Sequence, residues 1–296
     1  LPSSGRLGTV VIIEGVNLFG GGNTIANVSL NGVEVVELSE ITNEHVTVIA
    51  NAHPVSGQGD VRIVGDEGAV VVLTDGWTYE TTGSITSASP ETGVLGTRVV
   101  IDGLNLLGGG SYVTNVTLAG IHVEGEIASL VNNSRIEVYA GQGSTGITGE
   151  IVITADSGAI VTSDFPWTYA EDPSLTSIIP AYGQYGTEVV LIGTAFQSNG
   201  TVIVSVTFAG VEATIVSAND TVLVVIAQAG SAGFGDVVVT ANTNGRAAFT
   251  NEWEYRVQGA IDAISPDRGQ ANAKVIIFGT NLRGHGQHVV SVTLAG

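Results

Sequence analysis

The chain has 296 residues, enough for about two average domains, and its 28 acidic against 9 basic side chains give a formal net charge of −19. So few bases, with no basic cluster, argue against nucleic acid or an anionic membrane as partner, because both need a patch of Lys and Arg. Cys is absent, which removes disulfides and thiolate metal sites, and no apolar run approaches the roughly 18 residues of a helical membrane span.

The chain opens on Pro2 with PSSGRLGTVVIIEGVNLFGGG, and the pattern returns at Pro90, Pro180 and Pro266. A period of roughly 90 residues marks a tandem array of one folding unit. It divides the chain into residues 1–82, 83–172, 173–258 and a partial fourth unit, 259–296, the first unit lacking most of its opening strand. No Met stands at position 1, so a segment ahead of Leu1 is expected.

Within each unit the proline is followed by two glycines, Gly5 and Gly8, Gly93 and Gly96, or Gly183 and Gly186, read as a tight bend between strands. The next strand is rich in β-branched residues: Thr9 to Glu14, Thr97 to Asp102, Thr187 to Ile192 and Lys274 to Phe278. Each is expected to stop at a glycine (Gly15, Gly103, Gly193, Gly279), with the following Leu18, Leu106, Phe196 or Leu282 tucked under the loop. Val28 and Leu30 then alternate with Asn27 and Ser29, which puts the polar pair outside, and the same holds for Asn115 and Thr117. Strands are expected at Val33 to Val36, His45 to Ala50, Gly59 to Val64 and Ala69 to Leu73. Trp77 and Tyr79, Trp167 and Tyr169, and Trp253 and Tyr255 close the units as core aromatic anchors. Short strands, frequent turn signals and no helical periodicity predict an all-β chain, a tandem array of immunoglobulin-like β-sandwiches. Linkers as brief as Glu80 to Ser84 predict a semi-rigid rod.

The run PETGVLGTRVVIDGLNL from Pro90 to Leu106, VTLAG from Val116 to Gly120, and the closing W-x-Y from Trp167 to Tyr169 resemble the IPT/TIG family of immunoglobulin-like domains. The third unit departs from that pattern at Thr194-Ala195-Phe196 and the fourth at Asn272-Ala273. The family occurs in cell-surface receptors, in transcription factors, beside starch-acting catalytic domains and in tandem arrays of microbial surface proteins. The resemblance therefore implies an extracellular spacer, adhesin stalk or fibre, since no basic DNA-contacting loop is present.

No catalytic set emerges, and neither an enzyme nor a cofactor is expected. His45, His53, His122, His285 and His288 lack metal-ligand spacing, so no metal is assigned. Gly20-Gly21-Gly22 and Gly108-Gly109-Gly110 precede strands and lack the Lys of a phosphate loop. Asp66, Glu67 and Asp156 read as solvated turn residues, with calcium as the alternative. Tyr182 and Tyr185 are candidate exposed aromatics. Sequons mark Asn27, Asn115, Asn132, Asn199 and Asn219 as glycosylation candidates, Asn132 and Asn219 falling in corresponding turns. Glycans would coat a neutral surface otherwise poorly protected against association.

The leading expectation is a non-enzymatic extracellular or cell-surface fibre or stalk, a glycoprotein self-associating into a filament or longer array. The alternative is an adhesin or a carbohydrate-binding module of a larger secreted protein. The incomplete first and last units predict either a longer array or completion by strands from a neighbouring chain.

Overall fold

The computed structural model describes residues 2–125 and 132–294. Leu1 and the Ala295-Gly296 end of the fourth unit's VTLAG motif fall outside them. Two compact units, 1–169 and 170–296, are resolved, each built from β-strands.

In the first unit, the opening repeat is a sandwich of two sheets. One runs Ser4–Gly5, Val70–Tyr79, Gly57–Gly65, Ile25–Leu30, Val33–Glu34, and the other Val10–Glu14, His45–Ile49, Glu37–Ser39. The second repeat keeps the strand order of the larger sheet, while among the described residues the third strand of the smaller one is reduced to a single bridge, Glu124 to Tyr139, and one strand is added. Its opening strand, Ser84–Ser89, pairs antiparallel with Arg98–Leu104 and also meets Ile160–Tyr169 in a parallel register at Ser163, so it ties the two sheets together. Val28 and Leu30, like Val116 and Leu118, are fully buried and alternate with half-buried Asn27 and Ser29, Asn115 and Thr117, as the period of two requires.

In the second unit, the third repeat has its opening strand Ser174–Ile179 beside Glu188–Thr194, Val222–Ile226 and Thr214–Ala218. The facing sheet contains Tyr182–Gly183, Arg246–Tyr255, Gly233–Ala241, Ile203–Phe208 and Val211–Glu212. Of the fourth repeat, Ala260–Ser265 pairs with Ile276–Thr280. The stretch of residues 288–294 carries no strand, although its counterpart Val113–Leu118 does. That counterpart is held by Thr148–Ala155, and a strand without a hydrogen-bonding neighbour is not stable alone.

Several expectations are corrected. The first glycine of each pair is not a bend residue: Gly5, Gly93 and Gly183 lie in two-residue strands that pair parallel with the closing strand. Only Gly8, Gly96 and Gly186 take positive φ, at 86°, 80° and 82°. The first glycine is required because a Cβ there would press into the Thr9, Thr97 or Thr187 side chain at 2.5–2.6 Å. Nor do strands stop at Gly103, Gly193 and Gly279; they continue through them, because Ser84, Ser174 and Ala260 supply a pairing edge alongside. The expected Ala69 to Leu73 strand and the W-x-Y segment form one strand, Val70–Tyr79, interrupted only by a register shift in its pairing with Gly57–Gly65. Leu18, Leu106 and Phe196 are buried under their loops, whereas Leu282 is 38% exposed.

Candidate functional site

The closing aromatics sit at the centre of each core. Trp77, Trp167 and Trp253 are each at most 1% exposed and meet Tyr79, Tyr169 and Tyr255 edge to face at 5.7, 4.7 and 5.5 Å. That geometry suits the ring quadrupoles and leaves no indole face for a ligand. Trp167 donates its indole N–H to the Pro90 carbonyl at 3.0 Å. Burial pushes the Tyr169 hydroxyl up to about 12, and those of Tyr79 and Tyr255 in the same direction.

The surface asparagines divide into two kinds. Asn27 and Asn115 are half-buried on outward-facing strand positions; Asn27 donates to Glu34 at 2.6 Å and Asn115 lies 2.8 Å from the His122 ring nitrogen. Asn132 and Asn219 are exposed and occupy the same turn in successive repeats. The Oδ1 of Asn132 accepts from Ser134 N and Arg135 N, and that of Asn219 from Thr221 N and Val222 N, all at 2.8–2.9 Å. With the oxygen tied to the turn amides, the carboxamide nitrogen faces away from them. Asn199 is exposed at φ 61° in the loop after Phe196.

The acidic turn residues hold backbone. Asp66 accepts from Asn23 N at 3.0 Å and Asp156 from Ser111 N at 2.8 Å, clamping the loops that contain the triple glycines. The third repeat does the same with neutral Asn242, which accepts from Thr201 N at 2.9 Å. The position therefore needs an acceptor, not a charge. The histidines are dispersed: His45 beside Glu40 at 3.4 Å, His53 stacked on Tyr79 at 4.7 Å, His285 against the Val257 carbonyl at 2.9 Å. Among the described residues no three His, Asp or Glu side chains converge as a metal site.

One feature was not visible in the sequence. Arg6, in the bend of the first repeat, is only 6% exposed, and its Nη2 donates to the Asn105 carbonyl of the second repeat at 2.9 Å. Burial lowers its pKa from the ordinary value, and Glu80 acts in the opposite direction. Beside it lies a cleft of about 330 Å³ lined by Arg6, His53, Tyr79, Glu80 and Asp164 among others. A lone Arg in a glycine turn gives no sign of burial, because the covering residues lie about a hundred positions away.

Fold and surface together define a chain of tandem immunoglobulin-like sandwiches. The profile of the IPT/TIG domain matches residues 84–169 and 173–255, more than half of the chain, and the protein belongs to that family. Fibrocystin-L of Homo sapiens is 26% identical over 262 residues, covering 88% of this chain and 6% of that protein. The chain thus spans a small part of that relative. Among solved structures, domains 1 to 10 of the Plexin A4 extracellular region are similar at 16% identity and TM-score 0.41, over 95% of this chain and 30% of that one. A Bacteroides ovatus SGBP-B in complex with a mixed-linkage heptasaccharide is similar at 11% identity and TM-score 0.27, over 86% and 61%.

Proposed function

We propose that this chain is a non-enzymatic, structural segment of an extracellular or cell-surface protein, in which tandem sandwiches provide reach and N-linked glycans provide an outer coat. The observation that carries the reading is the recurrence of a sequon in the same exposed turn of successive repeats, Asn132 and Asn219, each with its carboxamide oxygen engaged and its nitrogen facing away. Family membership supports an Ig-like building block and leaves function to the sites it carries. In this reading the array extends or self-associates into a stalk or filament. Glycopeptide mass spectrometry of the natural protein tests it. Glycans on Asn132 or Asn219 are expected, and unmodified peptides at all five sequons would remove the support.

A second reading, glycan binding as an adhesin or carbohydrate-binding module, is favoured by Tyr185, which is 59% exposed beside partly exposed Tyr182. Saccharide-array binding abolished by Tyr185→Ala would establish it in place of the first. No binding to any saccharide would discard it.

A further inference from the structure

The junction between the first and second repeats is built from residues that have counterparts at the junction between the third and fourth. Arg6 stands four residues after Pro2, and Gln184 four after Pro180. Gly83 and Gly259 immediately precede the opening strands Ser84–Ser89 and Ala260–Ser265. Gly108 and Gly284 each stand two residues past the loop leucines Leu106 and Leu282.

At the first junction the Arg6 guanidinium lies against both glycines. A Cβ on Gly83 would overlap its Nη1, and one on Gly108 would come within 3.3 Å of its Nε. Two backbone bonds run alongside, from Ile160 N to the Leu7 carbonyl at 2.9 Å and from Val10 N to the Ser157 carbonyl at 3.1 Å. Gly8 and Gly158 let the chains approach, since a Cβ on Gly158 would sit 2.6 Å from the Gly8 carbonyl. At the other junction Gln184 takes the place of Arg6. Its Oε1 accepts from Gly259 N at 3.2 Å, and its Nε2 faces Gly284, where a Cβ would stand 3.1 Å away.

We propose that the two glycines at the base of a repeat form a seat for one polar side chain, the fourth residue after the repeat proline of the preceding repeat, and that this side chain locks adjacent repeats in orientation. The seat takes a planar polar group: Arg6 Nη2 reaches the Asn105 carbonyl, its Nε and Nη1 being buried without a hydrogen-bond partner among the described residues, and the carboxamide of Gln184 adds an acceptor for Gly259. A side chain on Gly83 would take the space of the Arg6 guanidinium, while Gly108 and Gly284 also need their positive φ of 62° and 56°, and Gly259 makes room for the Asn281 carbonyl. A buried polar side chain also specifies geometry better than an apolar one, since sliding would leave its hydrogen bonds unmade. The corresponding three positions one repeat on are Val94, Pro173 and Ser198, which lack this combination. The proposal therefore concerns the first and third junctions, and it holds whether the array serves as a spacer or as a binding protein.

The absence of native Cys makes a direct test simple. Spin labels on Glu44→Cys and Ser144→Cys, both exposed, report the distance between the first and second repeats by pulsed electron resonance. The native junction gives a narrow distribution, Arg6→Ala broadens it by about twofold, as for domains without a fixed interface, and Arg6→Gln keeps the native width. Thermal unfolding of the Arg6→Ala chain, followed by Trp fluorescence, stays unchanged if the effect is confined to the junction. A native distribution as broad as that of Arg6→Ala, or an Arg6→Gln distribution as broad as Arg6→Ala, would overturn the proposal.

Discussion

The first and second repeats carry the same aromatic centre and the same strand order in the sheet that holds it, yet they differ on the opposite side. In the second, Ile85 and Ala88 of the opening strand are 5% and 4% exposed and pack into the core, and Ile101 beneath them is fully buried. The counterpart of that strand in the first repeat would precede Pro2, outside the described residues, so the first repeat has that edge open here. Its Ile13 is half-buried, Leu73 is 60% exposed, and an apolar groove of about 260 Å³ lies between Val16, Leu18, Val71 and Leu73. The strand after the bend shortens with it, from Arg98–Leu104 to Val10–Glu14. The opening strand thus serves as the staple that closes one side of the core and extends its neighbour through a glycine.

The largest effect should come from the part the two repeats share. Trp167→Ala removes a fully buried indole, at a cost of about 3–5 kcal/mol. Hydrogen-exchange mass spectrometry should show the second repeat losing protection while the first and third keep theirs. Next is the staple. Ile85→Ala, costing about 2–4 kcal/mol, should bring the second repeat down toward the first in chemical denaturation followed by Trp167. A loss under ~0.5 kcal/mol, the level of ordinary surface changes, would mean that the opening strand adds little to the second repeat's stability.

Alkaline pH sharpens the comparison of the two closing tyrosines. A hydroxyl raised from its ordinary 10.0 to about 12 in the folded state leaves Tyr169's contribution intact below pH 10 and withdraws it as pH rises toward 12. Tyr169→Phe should therefore flatten the second repeat's loss of melting temperature across that window. Its effect at neutral pH should be slight, because the hydroxyl is buried without a hydrogen-bond partner among the described residues. An unchanged alkaline limb would assign the loss to other groups. The smallest effect belongs to Leu73→Ser, which installs in the first repeat the residue the second has at Ser163. In the chain beginning at Leu1, where Leu73 is 60% exposed, stability by chemical denaturation should move by no more than about 0.5 kcal/mol.

The acid side offers no comparable handle. Hydrogen bonds from Arg135 hold Asp102 below the usual carboxylate range, so its contribution is present above the unfolded pKa and lost as pH falls through the folded one. The pair is solvent-exposed, where screening keeps such contributions small.

The repeat, the all-β sandwich, the buried Trp and Tyr pairs and the outward placement of Asn27 and Asn115 were legible in the order of residues alone. Those features depend on local alternation and on a pattern copied four times. Which glycines bend the chain and which make room for a neighbour emerged only from the folded arrangement: Gly8 needs its φ of 86°, whereas Gly5 needs the space beside Thr9. So did the loop clamps of Asp66 and Asp156 and the burial of Arg6. Close approach and burial are set by atoms far along the chain, and a glycine or an arginine looks the same in sequence whether that distant neighbour arrives or not.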